Sequence, residues 1–215
     1  MSLILYSYFR SSAAYRVRIA LNLKNIDYQI RSIHLLKNGG EQFNADYLAL
    51  NPQGRVPVLV VQDQVLTQSS AIIEYLEEIY PVPPLLPTDP IARAYVRSLA
   101  QMIACDIHPL NNLRVLNYLK NTFNHDQKQV WYIHWILEGF AALEMRLQKS
   151  DYPGLFCFGD VPSMADAFLI PQVYNALRFD CEMESFPLIS AIYHNCMQET
   201  AFQNAAPENQ PDAEP

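Results

Sequence analysis

The sequence predicts a small α/β domain of element order βαβαββα followed by an all-α domain, and three observations carry that expectation. Residues up to about 80 alternate β-rich apolar runs with helical patterns, the segment Pro81-Val-Pro-Pro-Leu-Leu-Pro87 interrupts them, and residues from about 88 onward hold helical periodicity almost throughout. The length allows this division, because 215 residues, of which 50% are apolar, can bury a core in each half. The expected boundaries are 1–82 for the α/β domain and 88–203 for the helical one, with a flexible tail over 204–215 where the chain turns polar and proline-rich.

Leu3 to Ser7 reads as a short buried strand, and Ser12 to Lys24 places Ala13, Val17, Ala20, Leu21 and Lys24 at helical spacing. Tyr28 to Ile33 is a second strand, followed after Gly39-Gly40 by a polar helical stretch near Glu41 to Leu50. Val56 to Val61, a polar turn over Gln62 to Gln64, and Val65 to Thr67 form a hairpin. Ser69 then caps a helix that buries Ile72, Ile73, Leu76, Ile79 and Tyr80 and turns Glu74, Glu77 and Glu78 to water. The proline-rich segment is a stiff connector. Thr88-Asp-Pro90 starts a helical pattern that runs to about Lys120 with a kink at Pro109, and further helices are expected over Asp126 to Gln148, Ser163 to Phe179 and Pro187 to Gln198.

Composition excludes several classes of function. The net charge is −7 and the basic residues are scattered, which disfavours nucleic acid as a partner. No apolar run reaches the roughly 20 residues that span a bilayer, and the start MSLILYSYFR lacks the pattern of a secretory leader, so a cytoplasmic location is expected. The four cysteines, Cys105, Cys157, Cys181 and Cys196, form no CxxC pair and have no histidine at zinc spacing, so they read as reduced, buried thiols and no metal is expected.

Four local features bear on chemistry. Tyr8-Phe-Arg-Ser-Ser12 joins the first strand to the N-terminus of the first helix, where free amides and the helix dipole favour an anion such as a thiolate; taken by itself the feature reads first as an ordinary serine cap. Pro57 at the start of a hairpin strand cannot donate to the ladder, so it fits an edge, a bulge or a cis bond that leaves the backbone of Val56 open to a peptide-like ligand. Gln68-Ser69-Ser70 offers a second helix N-terminus to a carboxylate or simply caps it. Ser163-Met-Ala-Asp166 is a capping-box pattern that reads as structural.

Taken together, YSYFRSSAAYRVRIAL (Tyr6 to Leu21), NPQGRVPVL, QSSAIIEYLEE, DIHPLNNLRVL and MADAFLIPQVYNALRF resemble the zeta class of cytosolic glutathione transferases, a class that includes maleylacetoacetate isomerase. The resemblance covers the chain to about Phe202. It implies a thioredoxin-like domain, an all-α domain, a homodimer, and glutathione as cofactor in the cis–trans isomerisation of maleylacetoacetate to fumarylacetoacetate in tyrosine and phenylalanine breakdown. It further implies that Ser11, with Ser12 as neighbour or substitute, stabilises the glutathione thiolate, and that Val56 before a cis-Pro57 pairs with the cysteinyl backbone. Gln68 and Ser69 would hold the γ-glutamyl end, Gln42 would make a further contact, and His108, Asn112, Leu113 and Arg114 would approach from the helical domain. Arg10, Arg16 and Arg178 are candidates for a small dicarboxylate substrate, and each reads equally as a surface or packing arginine. The family usually carries a cysteine after the two serines, where this chain has Ala13. The alternatives are a maleylpyruvate isomerase, a transferase acting on α-halo acids, or a non-catalytic interaction protein on the same fold.

Overall fold

A computed structural model of the chain describes residues 2–123 and 125–214, which divide into two compact units: residues 1–85 together with 198–215, and residues 86–197. In the first unit the β-branched run of β3 (Val58–Val61) returns through Gln62 and Asp63 into β4 (Gln64–Thr67). Both turn residues hold positive φ, at 48° and 67°, as a tight two-residue hairpin demands. The other edge of β3 pairs antiparallel with β1 (Leu3–Ser7), which pairs parallel with β2 (Gln29–Ser32), giving the order β2-β1-β3-β4. Alternation along β1 buries Leu3, Leu5 and Ser7 on one face, while Tyr6 on the other meets Tyr47 of α2 (Ala45–Leu50) edge to face. Helices α1 (Ser12–Leu23) and α3 (Ser69–Ile79) pack on each other and bury Val17, Leu21, Ile72, Ile73 and Leu76. Element order and the thioredoxin-like arrangement agree with expectation.

Three expectations for this unit are corrected. Glu77 does not face water: it is buried, its Oε2 lies 2.7 Å from Lys24 Nζ, and its carboxylate accepts the Leu85 N–H. Lys24 Nζ also donates to the carbonyls of Tyr80 and Pro83, so two buried charges are tolerated because their hydrogen-bonding groups find partners. Ile79 is exposed instead, since the helix ends there and its last turn is not covered.

The third correction concerns the C-terminus. The expected flexible tail is folded onto the α/β unit, and with it α9 (Thr200–Ala205), which the sequence reading placed largely in the helical domain. Asn22 donates to the Ala201 carbonyl at 2.9 Å, Arg18 Nε to the Ala205 carbonyl at 2.9 Å, and Gln210 Nε2 to the carbonyls of Asn204 and Ala206. Gln210, one of the polar residues that suggest disorder, is taken up by backbone carbonyls at the end of α9.

In the second unit, Asp89 caps α4 (Pro90–Gln101) by accepting the amides of Ile91 and Ala92. Pro109 does more than kink the helix. The chain loosens into a π-helical stretch over Met102–Ile107, turns, and restarts as α5 (Leu113–Thr122) under an Asn112 cap; Pro109 brings no N–H to continue the helix, while His108 before it keeps helical angles (φ −57°, ψ −41°). Helices α6 (His125–Gln148), α7 (Met164–Arg178) and α8 (Pro187–Cys196) follow. Helix α7 is buried over most of its length, and fully buried Asp166 starts it: Oδ2 accepts the N–H and hydroxyl of Ser163, both at 2.7 Å, and Oδ1 accepts the Cys157 N–H at 2.8 Å. Cys157, Cys181 and Cys196 are buried as expected, and burial pushes the Cys181 thiol up to about 11, whereas Cys105 is exposed. Among the described residues no helix is long and apolar enough to cross a membrane.

Replacing Asp166 by alanine strands three donors in the interior, so Asp166→Ala is expected to lose on the order of 3 kcal/mol, with Asp166→Asn recovering part of it. Urea unfolding that shows no loss for Asp166→Ala would contradict the capping role.

Candidate functional site

Ser11 stands at the N-cap of α1 with extended backbone (φ −73°, ψ 111°), and its hydroxyl oxygen accepts the Ala14 N–H at 3.2 Å. A hydroxyl that accepts still holds its own proton, so capping leaves Ser11 able to donate to an anion. Its amide closes a turn onto the Tyr8 carbonyl at 2.9 Å. Ser12, the first helical residue, is buried. The first turn of α1 carries no acidic side chain, so no carboxylate of its own occupies the positive end of the dipole. Arg10 is exposed, with its guanidinium over the Phe9 ring at 4.8 Å.

A second helix N-terminus lies beside the first. Arg16 of α1 is buried and its Nη1 donates to Ser69 Oγ, the first residue of α3, at 3.3 Å. It therefore links the two helix starts. The first turn of α3 also lacks an acid. The residue before it, Gln68, holds φ 69° and ψ 115°, a conformation that costs a non-glycine residue about 1–3 kcal/mol, and its side chain donates to Gln53 Oε1 at 2.9 Å. The ladder between β3 and β4 starts at the Val58–Thr67 pair, so Val56 and Gln68 lie just outside it on the two strands. The Val56-Pro57 peptide bond is cis.

Gln42 sits in a single 3-10 turn after β2 and is 5% exposed. Its Nε2 donates to the Leu35 carbonyl at 3.3 Å, and its Oε1 is buried with no hydrogen-bond partner among the described residues. The side chain lies within 2.6 Å of where a Cβ on residue 40 would be, which, with φ of 105°, requires the glycine found there.

The α/β unit thus brings together Ser11, Ser12, Arg16 and Ser69 at two helix starts, with Val56, Pro57 and Gln68 at the adjoining hairpin mouth. The remaining candidates belong to the helical unit. His108 follows the π-helical stretch and donates its amide to the Ile103 carbonyl at 2.9 Å; Asn112 Oδ1 accepts the Arg114 N–H at 3.2 Å as the α5 cap, and Leu113 opens that helix. Arg178 is in the last turn of α7, exposed, with its guanidinium 5.1 Å from the Phe179 ring centre.

Residues that sequence reasoning passed over hold these groups in place. Arg18, fully buried, donates to Ser7 Oγ at 3.0 Å and to the carbonyls of Tyr8 and Phe9 at 3.4 and 3.0 Å, which shapes the loop leading into Ser11. The Arg55 carbonyl accepts both the Tyr47 hydroxyl at 2.6 Å and Asn51 Nδ2 at 2.8 Å, which fixes the approach to Val56. Burial pushes the Tyr47 pKa up, so it remains a donor at neutral pH. An arginine nearly two turns into a helix that is otherwise mostly apolar around it is the signal that points to Arg18.

The glutathione S-transferase N-terminal and C-terminal domain families match residues 10–79 and 136–191. The chain is 51% identical over 215 residues, 99% of each chain, to a probable maleylacetoacetate isomerase of Vibrio cholerae. The holo structure of maleyl pyruvate isomerase, a bacterial zeta-class glutathione S-transferase, matches with a TM-score of 0.95 at 46% identity over 100% of both chains. A maleylacetoacetate isomerase of Methylobacterium extorquens AM1 with bound malonate and glutathione matches at 0.94 and 40% identity, covering 99% of this chain and 100% of the other. With identity at this level along the whole length, the chain belongs to the zeta-class glutathione S-transferase and maleylacetoacetate isomerase family.

Proposed function

We propose that this protein is a glutathione-dependent isomerase that converts maleylacetoacetate to fumarylacetoacetate in tyrosine and phenylalanine breakdown, working as a cytoplasmic homodimer. The observation that carries the reading is the juxtaposition of two helix N-termini, both free of acids in the first turn and joined by Arg16 and Ser69. The glutathione-bound Methylobacterium extorquens relative and the holo zeta-class structure support the cofactor. The residues fit it: glutathione is an acidic tripeptide with a thiol, and the unit offers helix-start amides, serine hydroxyls and the buried acceptor Oε1 of Gln42.

Bound glutathione supplies a thiolate nucleophile whose reversible addition frees a cis double bond to rotate. The protein's task is to keep that thiol ionised at neutral pH. The N-terminus of α1 and the Ser11 proton stabilise the charged form and lower its pKa. Gln68 and Ser69 at the second helix start receive a carboxylate, and the backbone of Val56 aligns the peptide. His108, Asn112, Leu113 and Arg114 are further proposed contacts. Arg10 and Arg178 keep exposed guanidiniums, as a ligand for substrate carboxylates requires, whereas buried Arg16 acts through Ser69. Ala13 removes a neighbouring thiol but none of these groups. Maleylpyruvate is the second reading, favoured by the full-length match to maleyl pyruvate isomerase.

Purified protein is expected to isomerise maleylacetoacetate only with glutathione present, and faster than maleylpyruvate at matched glutathione. Turnover without glutathione, or none with it, would overturn the proposal, and a maleylpyruvate preference would select the second reading. Ser11→Ala is expected to lower kcat by about 10²–10³, the range for loss of one anion-stabilising donor, and Ser12→Ala far less. Equal losses would move the role off Ser11. Gln68→Gly relieves the backbone strain, so it should keep or raise unfolding stability, by up to about 1 kcal/mol, while weakening glutathione binding in calorimetry. A destabilised Gln68→Gly that still binds normally would refute that assignment.

A further inference from the structure

The C-terminal segment reaches the serine loop through Asp212 and Ala213. The Phe9 N–H donates to Asp212 Oδ2 at 3.1 Å, and the Phe9 carbonyl accepts from Arg18 at 3.0 Å, so both backbone polar groups of Phe9 are held, two positions before Ser11. Ala213 packs against the cluster formed by Tyr8, Phe9, Tyr47, Val56 and Val58. Glu214 then pairs with Lys37 and lies 3.4 Å from His34 Nε2. His34 Nδ1 accepts the amides of Leu36 and Lys37, at 3.2 and 2.9 Å, which places its proton on Nε2, toward Glu214. Lys37 and His34 belong to the same loop that leads into Gln42. Three consecutive residues therefore bridge the two loops that carry Ser11 and Gln42.

We propose that Asp212, Ala213 and Glu214 form a strap that sets the serine loop for glutathione, with Asp212 as a positioning residue acting through the Phe9 amide. This rests on the glutathione reading above. The strap's route is directional: Arg18 holds the Ala205 carbonyl and the Phe9 carbonyl with the same guanidinium, so the chain leaving α9 starts from the arginine that shapes the loop it later clasps. Two carboxylates near an anion site would oppose a thiolate by charge alone. Lys37 offsets Glu214, whereas Asp212 keeps its charge, with Oδ2 on a backbone amide and Oδ1 buried without a hydrogen-bond partner among the described residues. The gain must come from geometry, because an amide released from Asp212 frees Phe9 to turn and carries Ser11 and the start of α1 out of register with the thiol.

Geometry and charge make opposite predictions for two substitutions in the full chain. Asp212→Asn keeps an oxygen acceptor without the charge, and Asp212→Ala removes both. Three readouts are measured: glutathione affinity by calorimetry, the thiol pKa of bound glutathione from ultraviolet absorbance of the thiolate, and Phe9 amide hydrogen exchange. Asp212→Ala is expected to weaken glutathione about tenfold, the loss of one charge-assisted hydrogen bond, raise the bound thiol pKa and speed Phe9 exchange. Asp212→Asn should stay within about threefold of wild type in affinity, with a thiol pKa no higher. Both variants matching wild type, or both lowering the thiol pKa alike as simple charge removal would, overturns the strap while leaving the glutathione reading intact. Wild-type protein that binds no glutathione overturns the reading and the strap with it.

Discussion

The buried guanidinium of Arg18 is the interaction on which the α/β unit depends. Taking it out of water costs several kcal/mol, and the structure offsets this with acceptors from both ends of the chain: Ser7 Oγ and the carbonyls of Tyr8 and Phe9 on one side, the Ala205 carbonyl on the other. Carbonyls so engaged cannot rotate freely, and the loop they belong to ends at the cap of α1. Thus one side chain bears on both the shape of the serine loop and, together with Asn22, the docking of α9. Its partner device at the other end of α1, Lys24 with Glu77, ties the same helix to α3 and to the residues leading into the connector.

The site's electrostatics follow from what is missing in two first turns. A chain with net charge −7 has no global attraction for an acidic tripeptide or a dicarboxylate. In the proposed reading attraction is local, and the starts of α1 and α3 are suited to supply it because neither has an acidic residue in its first turn to satisfy the dipole. Under the proposal Ala13 is tolerable for the same reason: amides and Ser11 would hold the anion, and a neighbouring thiol would add little to that field.

Where periodicity is local, the sequence was readable. The β-branched hairpin, the apolar stripe of α3 through Leu76, the Asp89 and Ser163 starts of α4 and α7, and the loop placing Ser11 at a helix start all appear in the structure. What escaped reading depends on contacts between residues far apart in the chain. Arg18 and Ala205 are 187 positions apart, and Phe9 and Asp212 are 203 apart, so no window of sequence contains the reason the polar tail folds. Glu77 read as solvent-facing because its helical position is beside other acids, and only the approach of Lys24 and the Leu85 amide turns that position inward. The break between α4 and α5 goes beyond a kink at Pro109: the helix widens to π-helical over Met102–Ile107 before the proline, a change that no local periodicity marks, and α5 restarts at the Asn112 cap.

In the proposed reaction Ser11 and the start of α1 keep a bound thiol ionised at neutral pH. Ultraviolet titration of glutathione bound to wild-type and Ser11→Ala protein tests it most directly. In the wild type the bound thiol pKa is expected at least about one unit below the free-thiol value of about 8.5, returning toward it in Ser11→Ala. An undepressed value in the wild type, or one unchanged by Ser11→Ala, would contradict it.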